Sequence, residues 1–203
     1  MDLDLITSRL RPAVLAAGPL AVASFLTLIA AVATAGDGMV AVEKSPVAVA
    51  SSVTGLAALV LTALAVAYLP LTVPALRHGL GWVGLLVLAT GVLLGAGGQW
   101  SMVFVVPALA DAAPELLTEG IGSVLAGFVV SFLTMAVGGI LTGVALLRSN
   151  AVPRWSAVLV LVGGLVCVAP LPARFFVLAC GLSAVAAVAS RRQPAPAVVP
   201  APA

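Results

Sequence analysis

Charge is what this chain has least of. Only 8% of its 203 residues are Asp, Glu, Lys or Arg, about a third of the roughly 25% that a soluble domain uses to cover its surface. A water-facing exterior is excluded at that density. The single histidine, His78, excludes bis-histidine haem ligation and any histidine-pair metal site. Two cysteines, Cys167 and Cys180, are too few for a disulfide framework. No G-x-S-x-G elbow, H-E-x-x-H pair or phosphate-binding glycine loop occurs. No cofactor is expected, and a net charge of +2 carried in separate loops gives no nucleic-acid partner.

What is abundant is apolar: 63% of residues are hydrophobic and the mean hydropathy is +1.27. About 20 apolar residues in a helix, rising 1.5 Å each, cross a hydrocarbon core of about 30 Å. Runs at 13–35, 47–69, 82–106, 120–147, 154–169 and 172–189 meet or approach that length. The fold class expected is therefore all-α, a polytopic transmembrane bundle of six spans over 13–189. A cytoplasmic segment at 1–12 precedes it, and a Pro/Ala-rich disordered tail at 190–203 follows. Prolines 12, 46, 70, 74, 107, 114, 153, 170 and 172 fall at or between these boundaries, where helices tolerate them. Only Pro19 lies inside a span. The fifth run is short, so 154–189 reads either as two spans or as a re-entrant hairpin.

Arg9, Arg11, Arg77, Arg148, Arg154, Arg191 and Arg192 fall in alternate loops. Glu43, Lys44, Asp37, Asp111, Glu115, Glu119 and Arg174 occupy the others. By the positive-inside rule the basic face is cytoplasmic, with both termini inside a bacterial inner membrane. A second reading treats the first apolar run as a cleaved signal ending in Ala33-Thr34-Ala35, which leaves five spans. No charged residue falls in the middle of a run. A charge there costs about 2.5–3.5 kcal/mol on insertion scales and usually serves proton relay or ion coupling.

The run GVLLGAGGQWSMVF (91–104) interrupts its apolar stretch with glycines, an amide and an indole. Gln99 lies 17 residues beyond the inner-face anchor Trp82, about 25 Å along a helix, and so nears the outer interface with Trp100. Gly91 and Gly95 form a G-x-x-x-G, as do Gly139 and Gly143. Ser123, Gly127, Ser131, Thr134, Gly138 and Thr142 share one helical face, and Ser51, Gly55, Ala58, Thr62 and Ala65 share another. Small residues let membrane helices approach closely, and their hydroxyls bond across helices or back to their own carbonyls. The alternative is a polar path for a neutral solute bordered by Gln99, Ser51, Thr62, Ser123, Ser131, Thr134 and Thr142. On a continuous helix Asp111, Glu115 and Glu119 would share one face and could hold a divalent cation; the plainer and preferred reading is that Pro114 and Glu115 start a helix, with acids near its positive N-terminal end. The cysteines read as inert thiols or as a disulfide across the outer turn.

The segment LLRSNAVPRWSAVLVLVGGL (146–165), with Pro153, Arg154, Trp155 and Gly163-Gly164, resembles the cytoplasmic loop and following span of an actinobacterial-type family. That family comprises six-helix integral membrane proteins of unknown function. The resemblance implies six spans and no site residue. The function expected is a multi-pass accessory or structural membrane component, its partners being lipid and, through small-residue faces, a second copy or other membrane subunits. A transporter or channel for a neutral or hydrophobic solute is the alternative, and an intramembrane enzyme the third reading.

Overall fold

A computed structural model describes residues 3–34, 39–119, 122–169 and 174–191. The side chains of residues 3, 4, 39, 118, 119, 123 and 124 lie outside that description. The described chain is all-helical: α1 (Leu3–Thr34), α2 (Met39–Lys44), α3 (Pro46–Thr72), α4 (Gly79–Phe104), α5 (Val106–Ala112), α6 (Pro114–Glu119), α7 (Gly122–Ser149), α8 (Arg154–Val166) and α9 (Phe176–Arg191), with a 3-10 turn at Pro74–Leu76. Four helical stretches are long and apolar enough to cross a membrane, Leu5–Thr34, Pro46–Thr72, Gly79–Ala112 and Leu125–Ser149. The last two helices are apolar but shorter.

Two proline expectations need correction. Pro12 sits within α1 rather than before it, so the helix begins in the segment assigned to the cytoplasm. Proline removes only its own N–H and its bond to the residue four back; here both Ser8 and Pro12 are exposed, and the freed carbonyl is not trapped in the core. Pro70 likewise lies inside α3, which runs two residues beyond it. The carbonyl of Pro70 would ordinarily accept from residue 74, but Pro74 has no N–H. Arg77 folds back in its place, Nε donating to the Pro70 carbonyl at 2.6 Å and a terminal nitrogen to that of Leu71 at 3.0 Å. The helix end is thus capped by its own following loop.

The six longer helices form a closed ring in chain order, α1–α3–α4–α7–α8–α9, with α9 returning against α1 and also touching α3. Successive helices round the ring are antiparallel. Ser24 meets Ser51 and Phe25 stacks on Phe176; Gly84 faces Thr142, while Gly98 faces Phe128. Small residues set these spacings. A Cβ on Gly143 would stand 2.7 Å from that of Leu161, and one on Gly139 would stand 3.0 Å from Gly164 Cα. One on Gly181 would meet the Val160 amide nitrogen at 2.8 Å. A membrane bundle lacks a hydrophobic drive between helices, so such close approach is where its cohesion comes from. Large apolar side chains, Leu93 and Leu125 among them, point outward. Leu88, Met135, Leu146, Leu178 and Leu182 fill the centre.

The short helices α2, α5 and α6 pack on one another at one end of the ring. Asp111 and Glu115 do not share a helix, so the single-face alternative falls and the preferred reading holds: α6 starts at Pro114 with Glu115 in its first turn. Pro114 cannot donate to Ala110, and its ring drives Ala113 out of helical geometry to φ −153°, ψ 66°. Asp111 pairs instead with Lys44 at 3.0 Å, both side chains largely in solvent, where such pairs contribute about 0–1 kcal/mol.

Candidate functional site

Among the described residues, the polar side chains expected to border a path are distributed among several helices and do not line one common cavity. Ser51 and Ser24 form a reciprocal pair between α3 and α1. The Ser24 hydroxyl donates to the Ser51 carbonyl at 2.9 Å, and the Ser51 hydroxyl to that of Ser24 at 2.8 Å. Gly55, one turn along, leaves room for the Ser24 hydroxyl, which would lie 2.8 Å from a Cβ there. Gln99 of α4 enters the same space, its Nε2 donating to the Ser52 carbonyl at 3.3 Å. The amide therefore ties α4 to α3, about one and a half turns of helix from Phe104.

Thr62 donates to the Ala58 carbonyl at 2.7 Å, Thr134 to that of Val130 at 2.7 Å and Ser131 to that of Phe128 at 2.8 Å. These are intrahelical back-bonds, which let a hydroxyl sit in apolar surroundings without water. Thr142 differs: it is fully buried against Gly84 and its hydroxyl has no hydrogen-bond partner. The side chain of Ser123 lies outside the described residues.

One open groove, of about 250 Å³, borders this set. It lies between α4 and α7 and is lined by Leu94, Gly97, Gly98, Ser101, Gly127, Phe128 and Ser131. A Cβ on Gly97 or Gly127 would meet nothing within 4 Å. Among the path residues whose side chains are described, only Ser131 touches this groove.

Three residues missed in the sequence carry structural roles. Ser183 of α9 accepts from the Gly18 amide at 3.0 Å and donates to the Val14 carbonyl at 2.9 Å, inserting its hydroxyl into the α1 backbone just before Pro19. Its signal was the pair Gly181 and Ser183 on an otherwise apolar helix. Arg77 was legible from the Pro70–Pro74 spacing, which strands a carbonyl. Arg174 lies over the Phe132 ring, 4.9 Å from its centroid, and nothing in its local sequence announces that neighbour.

His78 is exposed at the N-cap of α4, and its side chain makes no capping bond. Among the described residues no hydroxyl donates to it, and no group of three His, Cys, Asp or Glu stands ready to hold a metal. Cys167 and Cys180 are free thiols; Cys167 is buried, and Cys180 lies against Gly18 of α1. At the capping end, partial burial raises the Glu43 carboxyl above the usual carboxylate range. Comparison with protein-family models, curated proteins and solved structures gives no match. Among the described residues the chain is all-helical, with four helices long and apolar enough to cross a membrane.

Proposed function

We propose that the protein is a multi-pass inner-membrane component with an accessory or structural role. In this reading the four long stretches span the bilayer, and α8–α9 form a hairpin entering from the basic face. Both termini then lie in the cytoplasm. The seven arginines of the alternate loops favour that orientation through the positive-inside rule. Residues 146–165 resemble six-helix bacterial membrane proteins, and six full spans would leave both termini on that same side.

The observation that carries the role is where the hydroxyls go. Ser51, Thr62, Ser131 and Thr134 all donate to helix carbonyls, and Gln99 spans an interface. A solute path needs polar groups facing an aqueous lumen; these groups are already committed to the bundle. The partner surface in this reading is the α4–α7 groove, whose open Gly97 and Gly127 would admit a helix of another membrane chain.

Proteoliposome swelling with urea and glycerol separates this role from transport. The expected rate equals that of protein-free vesicles. A faster rate that falls on Ser131→Phe, a side chain large enough to fill the groove, overturns the structural reading in favour of a channel. Reporter fusions at Asp111 and after Arg191 should read outside and inside respectively.

A further inference from the structure

The two ends of the ring differ in charge. Among the described side chains, Glu43, Asp111 and Glu115 belong to the short helices α2, α5 and α6 at one end. Arg9, Arg11, Arg77, Arg148, Arg154 and Arg191 all lie at the other, with no described acid among them. Two of these arginines stand on one fixed turn: Arg148 in the last turn of α7 and Arg154 at the start of α8. Asn150 between them takes a left-handed φ of 50° and reverses the chain. The Ser149 hydroxyl donates to the Leu146 carbonyl at 3.1 Å and accepts from the Ala151 amide at 3.4 Å. Val152 is buried, and the buried Ser156 hydroxyl donates to the Pro153 carbonyl at 2.8 Å. Both arginines are exposed, and no described acid pairs with either.

Because α7 lies between α4 and α8, three outward flanks end beside this turn. Gly84 faces Thr142 and Gly143 faces Leu161, which fixes the level of each helix against the next. Arg148 is six residues past Thr142 and three helical turns past exposed Val137, so it continues the outward stripe of α7. Trp82, two residues before Gly84, ends the outward stripe of Leu86 and Leu93 on α4. Trp155, six before Leu161, ends that of Val158 and Val162 on α8. The indoles are 45% and 58% exposed. By helical rise Arg148 and Trp155 are nearly level, and Trp82 lies about 6 Å deeper. A guanidinium thus stands between two indoles at the outer surface of the basic end.

From this arrangement, and resting on the membrane reading above, we infer that the α7–α8 turn binds the head group of an anionic phospholipid. Arg148 and Arg154 take its phosphate, while Trp82 and Trp155 flank its glycerol and upper chains. Charge complementarity selects this occupant. Forked guanidinium donors match a phosphate, and basic clusters beside membrane helices draw anionic lipids. The start of α8 has no side-chain cap, so the positive end of that helix adds to the two arginines. A zwitterionic lipid carries its own cation into the same field and gains less. The indoles set the depth, since tryptophan favours the interfacial layer where ester and phosphate lie. Each arginine near an anionic surface contributes about a factor of five in affinity.

Quenching by brominated lipid tests this, with the tryptophans themselves as reporters. One protein keeps Trp155 alone, through Trp82→Phe and Trp100→Phe. A second keeps Trp100 alone, at the opposite end, through Trp82→Phe and Trp155→Phe. Each is reconstituted in mixed phosphatidylglycerol and phosphatidylcholine vesicles, with bromine on the chains of one lipid or the other. Brominated phosphatidylglycerol should quench Trp155 as though enriched about threefold or more over its share of the bilayer. It should quench Trp100 only in proportion to that share. The excess at Trp155 should shrink with added salt and vanish when Arg148→Gln and Arg154→Gln are combined. Proportionate quenching of Trp155 overturns the inference without any arginine variant, as does an equal excess at Trp100. An excess that survives both glutamines overturns the assignment to these two arginines. If neither brominated lipid quenches Trp100 or Trp155, the bundle is not in the bilayer, and the membrane reading itself fails.

Discussion

Thr142→Val is the substitution whose outcome follows most directly from the packing between α4 and α7. The Thr142 side chain is fully buried, and its hydroxyl has no partner. An unsatisfied buried polar group costs about 1–3 kcal/mol, and valine keeps the branched shape while removing the group. The gain is offset by crowding, because a methyl is bulkier than a hydroxyl and Gly84 is close. A Cβ on Gly84 would stand 2.8 Å from both the Thr142 amide nitrogen and Oγ1. We expect a net stabilisation of about 1 kcal/mol, which for a chain of this size raises Tm by roughly 2–4 °C. Gly84→Ala should do the reverse, losing about 1–3 kcal/mol through overpacking. Combining it with Thr142→Ala relieves only the hydroxyl contact, since the backbone amide remains in the way. Unfolding in detergent followed by circular dichroism, with Thr142→Ser as control, measures all four. A loss of 1 kcal/mol or more in Thr142→Val refutes the reasoning. It would mean that the hydroxyl bonds to something essential, and would return Thr142 to the candidate solute path.

Two further outcomes follow from the packing and the charges. Replacing Gly139 and Gly143 with leucine should collapse detergent stability by several °C, because both face α8 at distances no side chain can share; unchanged melting would show that this face meets lipid. Glu43 supplies a pH dependence. Partial burial pushes its carboxyl above the ordinary value of 4.5, so the folded state holds the proton more tightly than the unfolded chain. That contribution is fully present below pH 4.5 and is lost as pH rises through the folded value. Tm measured from pH 4 to 7 should therefore fall less steeply in Glu43→Gln; an identical slope removes Glu43 as its cause.

Much of the architecture was legible because the membrane imposes a length and a polarity that residues obey one at a time. Apolar runs, proline punctuation and alternating basic loops located the long helices to within a few residues at most boundaries. Pro12 and Pro70 escaped that logic because proline's cost depends on whether its freed carbonyl finds a donor. For Pro12 the local exposure answers that, and at the end of α3 Arg77 does. The Asp111–Glu119 face failed for the opposite reason: periodicity assumes a continuous helix, and Pro114 interrupts it.

The hydroxyls divide along the same line. Thr62, Ser131 and Thr134 bond to carbonyls three or four residues back, a local habit readable from any helical sequence. The Ser24–Ser51 pair, the Ser183 insertion into α1 and the Gln99 tie to α3 join residues 27 to 169 apart along the chain.

Composition alone determined the solvent of this protein, since 8% charge cannot cover a surface in water. Charge order along the chain was enough to divide its loops into a basic and an acidic set. The tertiary structure decided which glycine meets which neighbour and that the ring closes through α9 onto α1. Ring closure is the clearest case. The Ser183 hydroxyl reaches the Gly18 amide and the Val14 carbonyl across 165 and 169 residues of chain, a separation that no local pattern encodes.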